Sequence, residues 1–117
     1  FSGLGMGIAL KKAGINSFAI LEKADDVGGT WRDNHYPGCA CDVQSHLYSF
    51  SFEPNPNWTR MYAPQPEILK YANHVADRFD LRLDIQLNTR VASAHFDEDR
   101  ALWSVRSQTR QCGKFRW

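Results

Sequence analysis

Apolar residues recur at helical spacing at the start of the chain. Leu4, Ile8 and Leu10 alternate with small residues, which suits a helix over residues 3–13 that packs closely on a sheet. Gly14 follows at the position where a glycine commonly ends a helix. The sequence therefore predicts a first helix that stops at Gly14.

A short β-prone run comes next. Residues 17–22 are bounded by turn residues and end in an acid, Glu22, as expected for a buried parallel strand. A helix followed by a strand is half of a βαβ unit. No strand pattern precedes the helix and the first residue, Phe1, is not Met, so we expect the first strand of the unit to be missing from the chain.

Residues 23–66 are rich in Gly, Pro, Asn, Asp and aromatic residues and lack a sustained period. A connection of this length inside a compact domain is usually functional. Pro66 then opens a helix over 67–79, since proline is favoured in the first helical turn. The apolar face of this predicted helix is formed by Ile68, Tyr71, Val75 and Phe79.

Two strand-like runs, 85–96 and 102–107, follow the second helix. The polar turn between them, 97–100, predicts a β-hairpin. We find no pattern for a third strand in the tail, 108–117. These elements predict an α/β fold, a partial doubly wound sheet with a hairpin or meander excursion.

Composition places the chain among ordinary globular domains. Its 117 residues suffice for one small core. The net charge is +1 and the basic residues are spread out, so no positive stripe is available for nucleic acid or an anionic membrane. The early apolar stretch, 4–10, is too short to span a bilayer. We expect a cytoplasmic protein without nucleic-acid binding or stable membrane association.

Three residues fit the start of a dinucleotide-binding βαβ unit. There, the third glycine of a G-x-G-x-x-G turn packs helix on strand, and an acid about 20 residues later binds ribose hydroxyls. Gly3 would be that third glycine, Gly7 keeps the same helix face small, and Glu22 lies 19 residues after Gly3. The first two glycines are absent, and a well-packed helix followed by a solvated acid explains the same residues, so both interpretations stay open.

The segment 28–42 matches a longer pattern, (A/G)-G-x-W-x-x-x-x-(F/Y)-P-(G/M)-x-x-x-D. All seven constrained positions agree, namely Gly28, Gly29, Trp31, Tyr36, Pro37, Gly38 and Asp42. This resembles the N-terminal signature of Baeyer–Villiger monooxygenases, and 45–51 and 62–68 look like the same family. The resemblance covers nearly all of residues 1–107 and implies an FAD-binding, Rossmann-like domain.

The resemblance also implies which residues bind cofactors. FAD would contact Ser2, Gly3, Glu22, Lys23, Gly29, Thr30, Trp31, Asp42, Tyr48 and Val91, and NADP would touch Ala40, Cys41 and Asp42. In the family, the acid at Asp42 lies between flavin, nicotinamide and an active-site arginine that is absent from this chain, so a catalytic role in positioning that arginine is implied. Trp31 and Tyr48 also fit core aromatic residues.

The implied enzyme uses NADPH to reduce FAD. The reduced flavin reacts with O₂ to give a flavin peroxide, which attacks a ketone and yields an ester or lactone. Alternatives are a related flavin monooxygenase that oxygenates nitrogen or sulfur, and an inactive truncated gene product. We expect the chain alone to be inactive. It would be one partial domain, with a Rossmann-like part over 1–91, a flavin-contacting loop over 23–66, and a hairpin excursion and truncated tail over 92–117.

Four potential metal ligands, His35, Cys39, Cys41 and His46, lie within a dozen residues. The Cys-x-Cys spacing is tighter than a usual zinc knuckle, and two of the four occupy variable positions of the flavin signature, so we expect no metal site. The three cysteines lack a disulfide spacing, and reduced thiols are expected. No nucleophile is paired with a base, so covalent hydrolysis has no support.

Overall fold

The computed structural model describes residues 1–108 with their side chains and the backbone of 111–115. In chain order, the elements are helix α1 (Ser2–Lys12), strand β1 (Ile20–Leu21), helix α2 (Thr30–Asp33), a 3-10 turn (Ser45–Leu47), helix α3 (Gln65–Arg78), a second 3-10 turn (Arg82–Asp84), and strands β2 (Ile85–Gln86), β3 (Val91–Asp97), β4 (Leu102–Ser107) and β5 (Gln111–Phe115).

Helix α1 confirms the first predicted helix and ends at the predicted glycine. Gly14 has a φ of +77°, a left-handed conformation that glycine adopts at little cost. Its amide donates to the Lys11 carbonyl at 3.0 Å, and the Ile15 amide donates to the Leu10 carbonyl at 2.9 Å. These two bonds form a Schellman motif, which satisfies carbonyls at the end of the helix.

Strand β1 is shorter than the predicted strand over 17–22. Only Ile20 and Leu21 form a ladder, in parallel with Ile85 and Gln86 of β2. A β-prone sequence shows which residues can pair, whereas the ladder extends only as far as the partner strand, and β2 has two residues. The parallel pair is connected through α2 and α3, as expected for a β–α–β crossover.

The prediction of one continuous strand over 85–96 is wrong. The chain turns between β2 and β3, where Asn88 has a φ of +54°. As a result β2 pairs with β1, while β3 belongs to a second sheet with the order β3-β4-β5. Alternation of side chains cannot reveal this break, because both halves of the run are β-prone.

The second sheet confirms the predicted hairpin and adds a strand to it. Strands β3 and β4 are antiparallel, as predicted. The expectation of no third strand is wrong, because β5 pairs antiparallel with β4, with Gly113 opposite Val105. The pairing uses backbone groups, and a strand with a central glycine lacks the apolar alternation from which it could have been predicted.

The core lies between α1, α3 and β1. Its largest fully buried side chains are Ile8, Ile68, Val75 and Leu81. Close approach of α1 depends on its small residues: a Cβ on Gly7 would lie 2.9 Å from Ile20 Cδ1 and 3.2 Å from Leu81 Cδ2. The predicted role of this small helix face is therefore confirmed by the packing of α1 on β1 and Leu81.

Candidate functional site

The carboxyl ends of β1 and β2 lie side by side. In α/β proteins this edge of a parallel sheet is where ligands bind. The Glu22 carbonyl, directly after β1, accepts the Thr89 amide at 2.8 Å, and the Ala24 carbonyl accepts the Asn88 amide at 2.8 Å. The loops that follow the two strands are therefore joined by backbone hydrogen bonds.

The first turn of α1 packs against the same strand. A Cβ on Gly3 would lie 3.0 Å from Ile20 Cγ2. The N-cap residue, Phe1, makes no side-chain cap hydrogen bond, and the first turn contains no acidic residue. The first helical bond runs from the Gly5 amide to the Phe1 carbonyl, so the preceding amides of the turn have no partner within the helix. These amides and the positive end of the helix dipole suit an anion.

The Glu22 carboxylate is oriented by its own loop. Its Oε1 accepts the Ala24 amide at 2.9 Å. The same oxygen lies 3.9 Å from Arg32 Nη1, and the side chain is 26% exposed. The neighbouring Lys23 is exposed. A partly exposed carboxylate in a fixed orientation can accept hydrogen bonds from the hydroxyl groups of a ligand.

Arg32 is a charged residue of this region that the sequence interpretation missed. Its Nε and Nη2 donate to Asp33 Oδ1 at 3.1 and 2.8 Å. Its Nη1 donates to the Asp26 carbonyl, and its side chain is 15% exposed. The hydrogen bonds that Arg32 donates to the Asp33 carboxylate raise the pKa of Arg32, so the residue stays a cation. The only signal in the sequence is its place after Trp31, a position that the signature leaves variable.

Two glycines begin helix α2. Gly28 has a φ of +116° and Gly29 a φ of +54°. A Cβ on Gly28 would lie 2.5 Å from Leu69 Cδ1, whereas one on Gly29 would have no neighbour within 4 Å. Gly28 is therefore required by packing and conformation together. Gly29 leaves backbone facing open space beside Thr30, which is exposed.

Trp31 and Tyr48 form an edge-to-face pair next to the start of α1. Their ring centroids are 5.6 Å apart with the planes at 81°, and Trp31 Nε1 donates to Tyr48 Oη at 2.9 Å. Phe1 packs on Tyr48 with centroids 5.8 Å apart. Trp31 is 8% exposed, so only a small part of its surface can reach a ligand.

The segment that carries Asp42 is anchored to the residues before α3. Ala40 forms an antiparallel bridge with Pro64, and the Cys41 amide donates to the Ala63 carbonyl at 2.9 Å. Cys41 is buried, whereas Ala40 and Asp42 are exposed. The Asp42 carboxylate is therefore presented to the surface from a fixed backbone.

The site residues fall into two connected groups and one outlier. The first turn of α1 and Glu22 lie at the edge of the parallel sheet. Trp31, Cys41 and Tyr48 share a cluster with Phe1, which joins the two groups because it is also the N-cap of α1. Val91 is an outlier by its sheet alone: it begins β3, is 44% exposed, and follows by two residues Thr89, whose amide donates to the Glu22 carbonyl.

The four potential zinc ligands are not gathered into a site. Cys39 and Cys41 are buried thiols of the cluster around Trp31, and His35 and His46 are exposed. Among the described residues, no group of three or more His, Cys, Asp or Glu side chains could hold a metal ion. Within the same part of the chain, no helix has the length and apolar character needed to cross a membrane.

The model of one family matches this region. It describes NAD(P)-binding Rossmann-like domains and matches residues 1–64, more than half of the 117-residue chain. The chain belongs to this family. The matched part of the Rossmann-like domain includes α1, β1, Glu22 and the whole signature, whereas β2, the second strand of the edge described above, follows it.

Relatives of this Rossmann-like domain are named as monooxygenases. A Baeyer-Villiger monooxygenase of Pseudomonas aeruginosa is 55% identical over 105 residues, which are 90% of this chain and 20% of that protein. One of Streptomyces coelicolor is 50% identical over 105 residues, with the same 90% and 20% coverage. The chain thus spans about a fifth of the length of the curated relatives it matches.

Solved structures that are similar to this chain are also monooxygenases. A steroid monooxygenase bound to NADP has a TM-score of 0.87 and 46% identity, over 92% of this chain and 21% of that one. Cyclohexanone monooxygenase from Rhodococcus sp. Phi1, bound to NADP⁺, has a TM-score of 0.88 and 37% identity, over 99% of this chain and 22% of that one. The resemblance to Baeyer–Villiger monooxygenases and the predicted α/β, Rossmann-like fold are both confirmed.

Proposed function

We propose that this chain is the FAD-binding part of a longer monooxygenase that uses NADPH and O₂. One observation carries the proposal: the uncapped N-terminus of α1 and the Glu22 carboxylate lie together at the carboxyl edge of the β1–β2 pair. A dinucleotide requires both groups, since its pyrophosphate needs N–H donors and its ribose hydroxyls need a carboxylate.

The donor set fits the adenosine diphosphate half of FAD. The first turn of α1 has no acid that would repel a pyrophosphate, and Ser2 and Gly3 are exposed. Gly3 has no side chain that would stand between the backbone and the ligand. The Glu22 carboxylate is accessible and already oriented by the Ala24 amide.

The chain's own residues would bind and orient the cofactor. Ser2 and Gly3 would donate backbone N–H groups to the pyrophosphate, and Glu22 would accept hydrogen bonds from the ribose. The remaining proposed FAD contacts are Lys23, Gly29, Thr30, Trp31, Asp42, Tyr48 and Val91. Bound FAD would supply the electron-transfer and oxygen chemistry, which side chains cannot perform.

The segment 40–42 would face NADPH. Ala40 and Asp42 are exposed on an anchored backbone, while Cys41 is buried and would contribute mainly through its main chain. We propose that Asp42 positions a cation beside the flavin, because a carboxylate on a rigid segment holds a guanidinium in one geometry.

For the whole enzyme we propose insertion of one oxygen atom into a ketone, giving an ester or lactone. The support is that two relatives of at least 50% identity are named Baeyer-Villiger monooxygenases. In addition, one structural neighbour, cyclohexanone monooxygenase at 38% identity, holds ε-caprolactone, a lactone. Oxygenation of nitrogen or sulfur by a related enzyme is the second candidate, since other relatives are named only as FAD-binding monooxygenases, without a reaction.

We also propose a division of the chain and a location for it. Residues 1–91 would form the Rossmann-like part, with the flavin-contacting loop 23–66, and residues 92–117 a hairpin excursion. The free thiols of Cys39 and Cys41 support a cytoplasmic enzyme, because the cytosol keeps thiols reduced.

The test is to purify the complete enzyme and measure its bound flavin. Consumption of NADPH is then followed with cyclic ketones, tertiary amines and thioethers, and the products are identified by mass spectrometry. Lactone formation from ketones supports the proposal. Oxidation of amines or thioethers alone would favour the second candidate, and absence of bound FAD would refute the proposed cofactor.

A further inference from the structure

A carboxylate and a guanidinium stand together at the ribose end of the proposed site. Arg32 Nη1 lies 3.9 Å from Glu22 Oε1. In dinucleotide-binding domains these two groups have opposite preferences, since an acid accepts hydrogen bonds from the ribose 2′-hydroxyl and an arginine accommodates a 2′-phosphate. The chain thus carries a candidate for each type of nucleotide.

The hydrogen bonds that Arg32 already makes favour the nucleotide with a ribose 2′-hydroxyl over the one with a 2′-phosphate. Three of its donor groups are in use: Nε and Nη2 on Asp33 Oδ1, at 3.1 and 2.8 Å, and Nη1 on the Asp26 carbonyl. The side chain is 15% exposed and runs against the glycine turn, where its Cβ lies 3.3 Å from the position of a Cβ on Gly28. The hydrogen bonds of Arg32 use three of the five guanidinium N–H donors and direct Nε and Nη2 at Asp33, so a phosphate could take this bidentate edge only by displacing Asp33.

The charges around Glu22 also disfavour a 2′-phosphate. Arg32 and Lys23, the residue after Glu22, contribute one positive charge each, while Glu22, Asp25 and Asp33 contribute one negative charge each. The Asp26 carboxylate is itself paired with Arg82 at 2.8 Å, so it neither adds to nor relieves the charge around Glu22. The immediate surroundings of Glu22 therefore remain net negative, and a doubly charged 2′-phosphate would be repelled there.

We propose that Arg32 is a positioning residue for Glu22. Asp33 accepts hydrogen bonds from the Arg32 guanidinium, and this end of the site therefore selects an adenosine ribose without a 2′-phosphate. The inference rests on the proposed function and deepens it, because it assigns the ribose specificity of the same site. Arg32 faces Asp33 with Nε and Nη2, and the Glu22 carboxylate with Nη1. Glu22 then keeps its second oxygen available for the ribose.

The first arm of the test measures FAD binding to apoprotein of the complete enzyme, by fluorescence titration. Arg32→Gln should weaken binding by about fivefold, the upper end for an ion pair of this exposure. Arg32→Lys keeps the charge and should restore most of the affinity. The matched control is Arg100→Gln, because Arg100 also lies 3.9 Å from a carboxylate, that of Asp97 in the hairpin. The affinity of this variant for FAD should equal that of wild type.

The second arm measures specificity with two probes, ADP-ribose and 2′-phospho-ADP-ribose, as competitors of FAD. Wild type should be displaced by ADP-ribose at a concentration at least about tenfold lower, because like charges oppose the phosphate. Asp33→Asn releases Arg32 and should reduce this preference by about fivefold.

The outcomes separate the inference from the function on which it rests. Wild-type protein that binds no FAD would refute the proposed function and the inference together. If wild type binds FAD but Arg32→Gln behaves as the Arg100 control does, Arg32 does not position Glu22. An unchanged preference in Asp33→Asn, or equal competition by both probes in wild type, would refute the assigned specificity.

Discussion

The Glu22 carboxylate is oriented by the Ala24 amide and lies beside the Arg32 guanidinium, rather than being held by burial. The Glu22 side chain is 26% exposed, so truncation removes a hydrogen-bonding group without opening a cavity. We expect Glu22→Ala to weaken FAD binding by ~1.5–3 kcal/mol, the range for charge-assisted hydrogen bonds. Flavin content after gel filtration measures the effect, with Glu98→Ala in the exposed hairpin turn as control. Equal flavin content in the two variants would remove Glu22 from the site.

A substitution of Asp42 should affect the proposed chemistry more than the stability of the fold. It is exposed, and substitutions at such positions usually change stability by within about 0.5 kcal/mol. We expect Asp42→Ala to melt within ~2 °C of wild type, which is the size of shift that so small a change produces. NADPH-dependent flavin reduction or oxygenation should be slowed far more. Stopped-flow reduction and product formation at wild-type rates would contradict the role given to this carboxylate.

Individual residues were predictable where one physical requirement dominates. Gly14 was recognised because a helix end favours a left-handed residue, and its φ of +77° agrees. Arg32 was not recognised, because its role depends on Asp26 and Glu22, six and ten residues away along an irregular turn. The path of such a turn is set by tertiary contacts, for example that between Gly28 and Leu69, which a single sequence does not display.

At the level of elements, helix α1 depends on the absence of side chains on its inner face. A Cβ on Gly7 would lie 2.9 Å from Ile20 Cδ1, and two further methyl groups would have no room. We expect Gly7→Val to lower the free energy of unfolding by about 1–3 kcal/mol through overpacking. Ala9→Val on the exposed side of the same helix is the control, and chemical denaturation is the measurement. Equal losses in both variants would show that β-branching alone explains the effect.

The two long helices were predictable to within two residues, whereas the short helix α2, which lies inside the predicted loop 23–66, and the strands were not. The apolar face of α3 and its early Pro66 mark a helix locally, and α3 spans Gln65–Arg78 where 67–79 was predicted. Strands depend on partners distant in sequence. The ladders therefore determined that β1 has two residues, that the run from Ile85 divides at Asn88, and that β5 joins β4.

At the scale of the whole molecule, the buried core and the second sheet are built from different parts of the chain. Every side chain of the two buried clusters, and every partly buried residue packed on them, precedes residue 86. Strand β3 is exposed along Val91–Phe96, and Phe96 packs on Trp103 within its own sheet. Among the residues whose side chains are described, those of β3 and β4 thus lie outside both clusters, so these two strands depend mainly on their ladder, while α1 and α3 are stabilised by burial against each other and β1.

This separation predicts two levels of protection in hydrogen exchange. Amides of α3, which carries the buried Ile68, Ala72 and Val75, should exchange only through global unfolding. The hydrogen-bonded amides of β3 and β4 should exchange through a local opening of lower free energy, because opening this sheet exposes little apolar surface. Exchange followed by mass spectrometry as a function of denaturant distinguishes the two, since local opening depends weakly on denaturant. Equal exchange free energies with equal denaturant dependence would show that the second sheet unfolds with the core, and that its ladders alone do not set its stability.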